Sequence, residues 1–327
     1  MSILCSGSFV ADILVPDLPH IGPPGSLTYA PKGIRLSPGG HSANVAINLA
    51  QLGVDDVYAA GSIGQDEMGR FLVDQLNNRG VVPLPEIYEN STTAKNVALL
   101  VRGEDRRYIA EFTANSLLTI EHLQTSINKV EPRIFYQGTL GGLPDIEKNL
   151  KKLLESCNDS LNYIDVIMPS HGWDYLASAS PFIHVFHANQ LEAHNLTEES
   201  DPHEAIRRLN QTGIRLAIIS DAQNGLVAGT KTHHVEMPAY DVKQRDATGA
   251  GDALSAGIIS FIQKNNFSID NIVEPEVMIE FLLFGQAAGA ACVTGIGATT
   301  NVTIKNVKSI LEQQRDKVQS QTRIERQ

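Results

Sequence analysis

The residues with the most evident chemistry are Asp246 to Gly257, reading Asp-Ala-Thr-Gly-Ala-Gly-Asp-Ala-Leu-Ser-Ala-Gly. Small residues open an apolar helix there, so its first N–H groups are unobstructed and its positive dipole end forms a local anion site. Asp252 falls in the first turn. It can take the proton of a substrate hydroxyl while a transferring phosphoryl group rests on the amides of Gly249, Ala250 and Gly251. A tight turn followed by a helix with an acidic first turn is the plainer reading of the same residues.

Other segments invite a similar double reading. Asp12 follows a short buried strand at Ser2–Ser8, at the end where open α/β sheets hold ligands. Gly39-Gly40 reads as a turn before a helix. Asn189 with Glu192 three residues on has the spacing of a capping box. None of the ten histidines makes an HExxH pair, which argues against a catalytic zinc site. Neither GxxxxGK[ST] nor a GxGxxG after a strand occurs, which disfavours P-loop and dinucleotide-binding readings.

The elements that must position these residues alternate. A helix from about Ser42 ends before Gly53, a strand covers 57–60, and Asp66 caps a helix through Arg79 with Gly80 beyond it. After Asn115 strands are expected at 133–137, 161–167, 182–186 and 214–219, and helices at 145–156, 172–178, 189–196 and 202–211. Residues 226–228 and 234–236 suggest a short antiparallel edge. Helices follow at 249–264, 275–293 and 303–318, and the polar tail 319–327 is expected to fray. This rhythm implies a doubly wound, mostly parallel sheet flanked by helices.

Two stretches stand apart. Pro16 to Pro38 is rich in Pro and Gly, and Lys95–Val101 with Arg107–Phe112 reads as a hairpin. The expected division is therefore a main domain of 1–13, 38–91 and 114–327 and a small β lid of 14–37 and 92–113. Arg102, Arg106 and Arg107 flank the hairpin turn and are read as solvated charge; Trp173 and Tyr175 are read as covering a core edge. Apolar residues on two faces of the lid (Val97, Leu99, Val101, Tyr108, Ile109) suggest a homodimer through an exposed sheet edge.

Composition sets the outer bounds. The 327 residues, 42% apolar and 19% charged, fit an ordinary globular protein able to bury a core. A net charge of −11 (26 Lys and Arg against 37 Asp and Glu) offers no global field for nucleic acid or anionic membrane, so any anion must be held locally. Three cysteines without a CxxC pair suggest neither a disulfide framework nor structural zinc. The expectation is a cytoplasmic protein with no membrane partner.

With these residues in view, the Asp246–Gly257 run resembles the C-terminal signature of the ribokinase-like, or PfkB, carbohydrate and nucleoside kinases. Pro38-Gly39-Gly40-His41-Ser42-Ala43-Asn44-Val45-Ala46, through Gly53 to Gly61-Ser62-Ile63-Gly64 and Asp66, resembles their N-terminal signature. His41 and Ser42 depart from the commonest form, in which glycine often stands at one of them. The resemblance implies a ribokinase-like α/β fold with a β lid and ATP-dependent phosphorylation of a hydroxymethyl oxygen on a small sugar. It makes Asp252 the general base, Gly249 to Gly251 the anion hole, and Asp12, Gly39, Gly40 and Asn44 the substrate floor. It implies that Asn189 and Glu192 hold Mg2+ through water, that Ser220, Gly225, Gln286 and Gly297 lie along ATP, and that Asp246 and Thr248 mark a K+ site. A nucleoside kinase of adenosine or pseudouridine type, with Phe9, Tyr29 and Phe112 clamping a base, and a silent ligand sensor are the alternatives.

Overall fold

The computed structural model describes residues 2–104, 107–167 and 174–327. Trp173 and Arg106 lie outside them. Strand β1 (Ile3–Ser6) is followed by β2 (Val10–Leu18), β3 (Arg35–Gly39), helix α1 (His41–Gln51), β4 (Val57–Gly64), α2 (Glu67–Asn77) and β5 (Val81–Tyr88). A hairpin of β6 (Lys95–Val101) and β7 (Arg107–Glu111) leads to α3 (Ile120–Val130), β8 (Ile134–Leu140), α4 (Pro144–Lys148), α5 (Leu150–Glu155) and β9 (Leu161–Val166). Next come α6 (Asp174–Ala177), β10 (Val185–Asn189), α7 (Gln190–Thr197), α8 (Pro202–Thr212), β11 (Leu216–Ser220), β12 (Leu226–Gly229) and β13 (His233–Met237). The chain closes with α9 (Ala250–Lys264), α10 (Pro275–Val293), α11 (Ile304–Gln321) and β14 (Arg323–Arg326).

Ten strands form one sheet in the order β14-β13-β12-β11-β10-β9-β8-β1-β4-β5. From β11 to β5 every pairing is parallel, while β12, β13 and β14 add an antiparallel edge. The inner strands of the parallel part, β1, β8 and β9 among them, are buried on both faces, so they are buried along their length rather than alternating. In β11, Leu216 and Ile218 enter one core with α1, α9 and α10, while Ala217 and Ile219 enter the other with α3, α5 and α8. The doubly wound fold with a smaller separate sheet is thus as expected.

The smaller sheet runs β3-β2-β6-β7, and β2 belongs to it from Val10. It has little core of its own: Val15, Leu18 and Val101 with Ala30 and Leu99 packed against them. Arg102 makes a two-pronged ion pair with Asp17 (2.7 and 2.8 Å), and Arg107 pairs with Glu104 at the hairpin turn.

Four local outcomes differ from the sequence reading. The tail does not fray: Arg323–Arg326 pairs antiparallel with β13 as an edge strand. The expected helix 145–156 is broken at Asn149, whose side-chain amide donates to the carbonyl and carboxylate of Asp145 and so competes with the helix ladder. The strand β5 was not expected, because Pro83 and Pro85 remove ladder donors; that confines it to the edge it occupies. Nor was α3, although Thr119 caps it and Ile120, Leu123 and Ile127 bury one face. Helix α10 is long and apolar enough to cross a membrane by length and composition; here it packs on α9 and α11, with 56% of that stretch buried.

Candidate active site

The loop ahead of α9 is built to present its first turn. Gly249 caps the helix at φ 74°, a left-handed conformation natural to glycine, and a Cβ there would lie 2.2 Å from that of Ala298. Asp246 ties the loop down: its Oδ1 accepts from Thr248 N–H (2.9 Å) and Thr248 Oγ1 (2.7 Å), and its Oδ2 from Gly297 N–H (2.8 Å). With both carboxylate oxygens engaged by protein donors, Asp246 shapes this turn. The N–H groups of Gly249 and Gly251 find no partner among the described residues, whereas that of Ala250 lies 3.3 Å from the Ala247 carbonyl.

Asp252 is 7% exposed. Asn44, from α1, donates its Nδ2 to Asp252 Oδ2 at 2.8 Å, which joins the two signature segments directly. Burial pushes the Asp252 carboxyl above its ordinary range; Asp165 adds to the rise, while His41 and the Asn44 bond oppose it. Asp252, Gly249, Ala250, Gly251, Glu192, Asn189, Ser220 and His41 line one cleft of about 540 Å³. The predicted base, anion hole and metal-side residues therefore share a single opening.

On the other side of Asp252, Asp12 is pushed up to about 6, chiefly by burial, with Asp252 and Asp246 adding and a bond from Asn96 Nδ2 (3.1 Å) opposing. Gly39 is a close-approach glycine, since a Cβ would sit 2.1 Å from Asp12 Oδ2. The Oδ1 atoms of Asn44 and Asn96 are buried and find no partner among the described residues, a state that costs free energy unless a ligand donates to them.

The nucleotide-side predictions divide. Ser220, Gly225 and Gln286 line a second cavity with Tyr240, Leu254 and Val293, and it abuts the first at Ala250 and Gly251. Gln286 spends its Nε2 on the carbonyls of Met237 and Pro238 (both 3.1 Å), so it fixes the wall. Gly297 lies instead against Asp246. Asn189 and Glu192 do form the capping box: Asn189 Oδ1 accepts from Glu192 N–H (2.9 Å), and Glu192 Oε2 from Asn189 N–H (2.8 Å). Burial raises the Glu192 carboxyl above its ordinary range.

Sequence reasoning passed over a buried relay beneath the cleft. Asp165 Oδ2, at the end of β9, accepts from Ser255 (3.0 Å) and Tyr136 (3.2 Å) and meets His187 Nδ1 at 3.1 Å. His187 Nε2 in turn lies 3.1 Å from Ser220 Oγ. Burial alone would raise Asp165, but the charge and hydrogen bond of His187, together with His41 and the Ser255 bond, hold the carboxyl below its ordinary range. The available signal was positional: both residues lie at the C-terminal ends of neighbouring parallel strands. Asn96 and Tyr240 carried no local motif.

Comparison with known proteins identifies the family and the fold. The sequence model of the pfkB family of carbohydrate kinases matches residues 2–305. Among curated proteins, a fructokinase of Solanum tuberosum is 27% identical over 308 residues, covering 91% of this chain and 93% of its own. Fructokinase-2 of Oryza sativa is 27% identical over 283 residues, covering 81% and 82%. A crystal structure of fructokinase with bound ATP from Xylella fastidiosa superposes with a TM-score of 0.81 at 25% identity, covering 96% of this chain and 99% of that one. Ribokinase from Giardia lamblia shares the fold, with a TM-score of 0.81 at 14% identity and coverage of 95% and 99%. Its two signature segments locked together at Asn44 and Asp252, this chain belongs to the pfkB family of carbohydrate kinases, phosphotransferases whose acceptor is an alcohol.

Proposed function

We propose that the protein transfers the γ-phosphoryl group of ATP to a hydroxymethyl oxygen of a small sugar, with fructose the first candidate because curated relatives bear the name fructokinase. The observation that carries the reading is Asp252: one oxygen anchored by Asn44, the carboxylate lining a cleft beside the unpartnered N–H groups of Gly249 and Gly251. Asp12 with Gly39, and the unpaired carbonyl oxygens of Asn44 and Asn96, suit sugar hydroxyls, which donate and accept.

The chemistry follows from position. Asp252 accepts the hydroxyl proton as the sugar oxygen forms its bond to phosphorus, the bond from phosphorus to the ADP oxygen breaks, and the helix-terminal amides meet the charge on the transferring group. The oxygen donors Glu192 and Asp221 in the cleft fit a magnesium ion held largely through water. When bound, that ion supplies charge neutralisation to the phosphates. Of the three residues expected to clamp a nucleoside base, Phe9 is fully buried in the core, Tyr29 is 79% exposed and Phe112 is half-buried, which favours the sugar reading.

A coupled ADP-release assay across sugars and nucleosides, paired with thermal shift, tests the proposal. ADP release with a sugar is expected; release with nucleosides alone, or ligand stabilisation without any release, overturns it. A second result is expected of Asp12. Below about pH 6 it is protonated and loses acceptor capacity, so sugar binding without ATP weakens by up to roughly tenfold between pH 7 and pH 5. Asp12→Asn binds more weakly and flattens that dependence in calorimetric titrations; an unchanged pH profile excludes Asp12 as the sensing group.

A further inference from the structure

His41 stands at the first position of α1 and lines the phosphoryl cleft. Its ring is held with unusual care. Thr139 N–H donates to His41 Nδ1 at 3.0 Å, and Thr139 holds φ 63°, a left-handed value that a β-branched residue adopts only when its surroundings enforce it. The surroundings are on view. Thr139 Oγ1 accepts from Ser8 N–H (3.1 Å) and bonds Ser8 Oγ (2.9 Å), and Ser8 Oγ accepts from the His41 N–H (3.3 Å). Gly138 completes the seat, because a Cβ there would lie 2.6 Å from that of His41. The end of β1, the irregular end of β8 and the start of α1 thus converge on one imidazole.

That hydrogen bond settles which nitrogen carries the proton. An N–H aimed at Nδ1 makes Nδ1 the acceptor, so the proton of the neutral ring is on Nε2. Nε2 faces the cleft and lies 3.9 Å from Asp252 Oδ1, too far for a direct hydrogen bond and near enough for both to address one group between them. One ligand atom each of His41, Asp165 and Asp252 lie within 4.8 Å of one another, a spacing a metal could bridge. A metal would need Nε2 without its proton and Nδ1 with it, against the Thr139 N–H, so the tautomer opposes ligation.

The cleft adds the second reason. Among the described residues lining it there is no Lys or Arg; His41 and His187 are the only side chains able to carry positive charge, beside Asp165, Glu192, Asp221 and Asp252. His187 is turned away onto Asp165 and Ser220. A donor placed on the attacking oxygen would tie up the lone pair that must bond to phosphorus. The useful target is a non-bridging oxygen of the group in transfer, where charge accumulates. Resting on the kinase reading above, we infer that His41 Nε2–H is a catalytic donor to the transferring phosphoryl group, completing on the side chain of α1 the anion hole that α9 begins with its backbone. It moves no proton; Asp252 takes the only one transferred.

His41→Ala, His41→Gln and wild type, assayed for ADP release with the best sugar of the panel, test this. His41→Ala is expected to lower kcat about 10²-fold, the usual cost of one oxyanion donor, with KM for sugar and ATP changed less than about threefold. His41→Gln, which keeps an N–H donor on a longer arm, is expected to recover at least tenfold of that loss, which a merely structural role would not allow. Unaltered kcat in His41→Ala, or a loss confined to KM, overturns the inference, as does micromolar Zn2+ inhibiting wild type but not His41→Ala. Melting curves report folding, and if His41→Ala does not fold, kcat of His41→Gln at wild-type KM decides: a value below about a hundredth of wild type overturns it. A wild type without turnover on any sugar refutes the proposed function itself, and this inference falls with it.

Discussion

Asp252→Asn is expected to lower kcat by about 10³-fold or more while leaving ATP binding intact, the upper range for losing a general base that also shapes the transition state. The amide matches the carboxylate in size and can still accept from Asn44 at Oδ2. What changes is the atom facing the acceptor hydroxyl, which becomes an N–H2 donor with no capacity for a proton. The same substitution is expected to raise the melting temperature. The folded-state value of Asp252 lies above the ordinary one, so its ionised form costs stability at every pH above that value, and the cost vanishes only below the unfolded one. A neutral residue removes it, the exchange of stability against activity common at catalytic positions. Coupled ADP release, calorimetry with ATP and a melting curve check the three parts; turnover within tenfold of wild type would remove Asp252 as base.

Asp165→Ala is expected to act on the fold. Asp165 Oδ2 meets three partners, and its removal leaves His187, Ser255 and Tyr136 facing a buried space without an acceptor. Breaking a buried pair from one side costs about 3–5 kcal/mol, which for a chain of this size lowers the melting temperature by about 4–7 °C. Because His187 also reaches Ser220 on the nucleotide side, KM for ATP should rise in the fraction that folds. Asp165→Asn, which keeps one acceptor, should lose less than half as much. Equal melting curves for wild type and Asp165→Ala would show that the relay is not structural.

What the sequence disclosed depended on whether the cause was local. The strand–helix alternation was legible because the buried parallel strands are mostly apolar and their helices carry caps such as Asp66 and Asp201. The proposed catalytic run was legible for the same reason, as all its groups fall in one turn. Asp165 and His187 lie 22 residues apart on separate strands, and only the sheet makes them neighbours. His41 stood in view inside the signature, yet its tautomer is imposed by Thr139, 98 residues away. Strand β14, Arg-Ile-Glu-Arg, has one apolar residue, and pairing rather than propensity makes it a strand.

The two ends of the large sheet have a consequence for how the protein behaves in a crowded solution. Any open sheet offers its outermost strands as templates for foreign chains, and the usual remedies are proline and charge at the rim. Here one rim is β5, with Pro83 and Pro85, and the other is β14, with Arg323, Glu325 and Arg326. Between them lie strands apolar enough to seed aggregation if laid bare. Each rim of the large sheet therefore carries one of the devices that discourage strand addition in the folded protein.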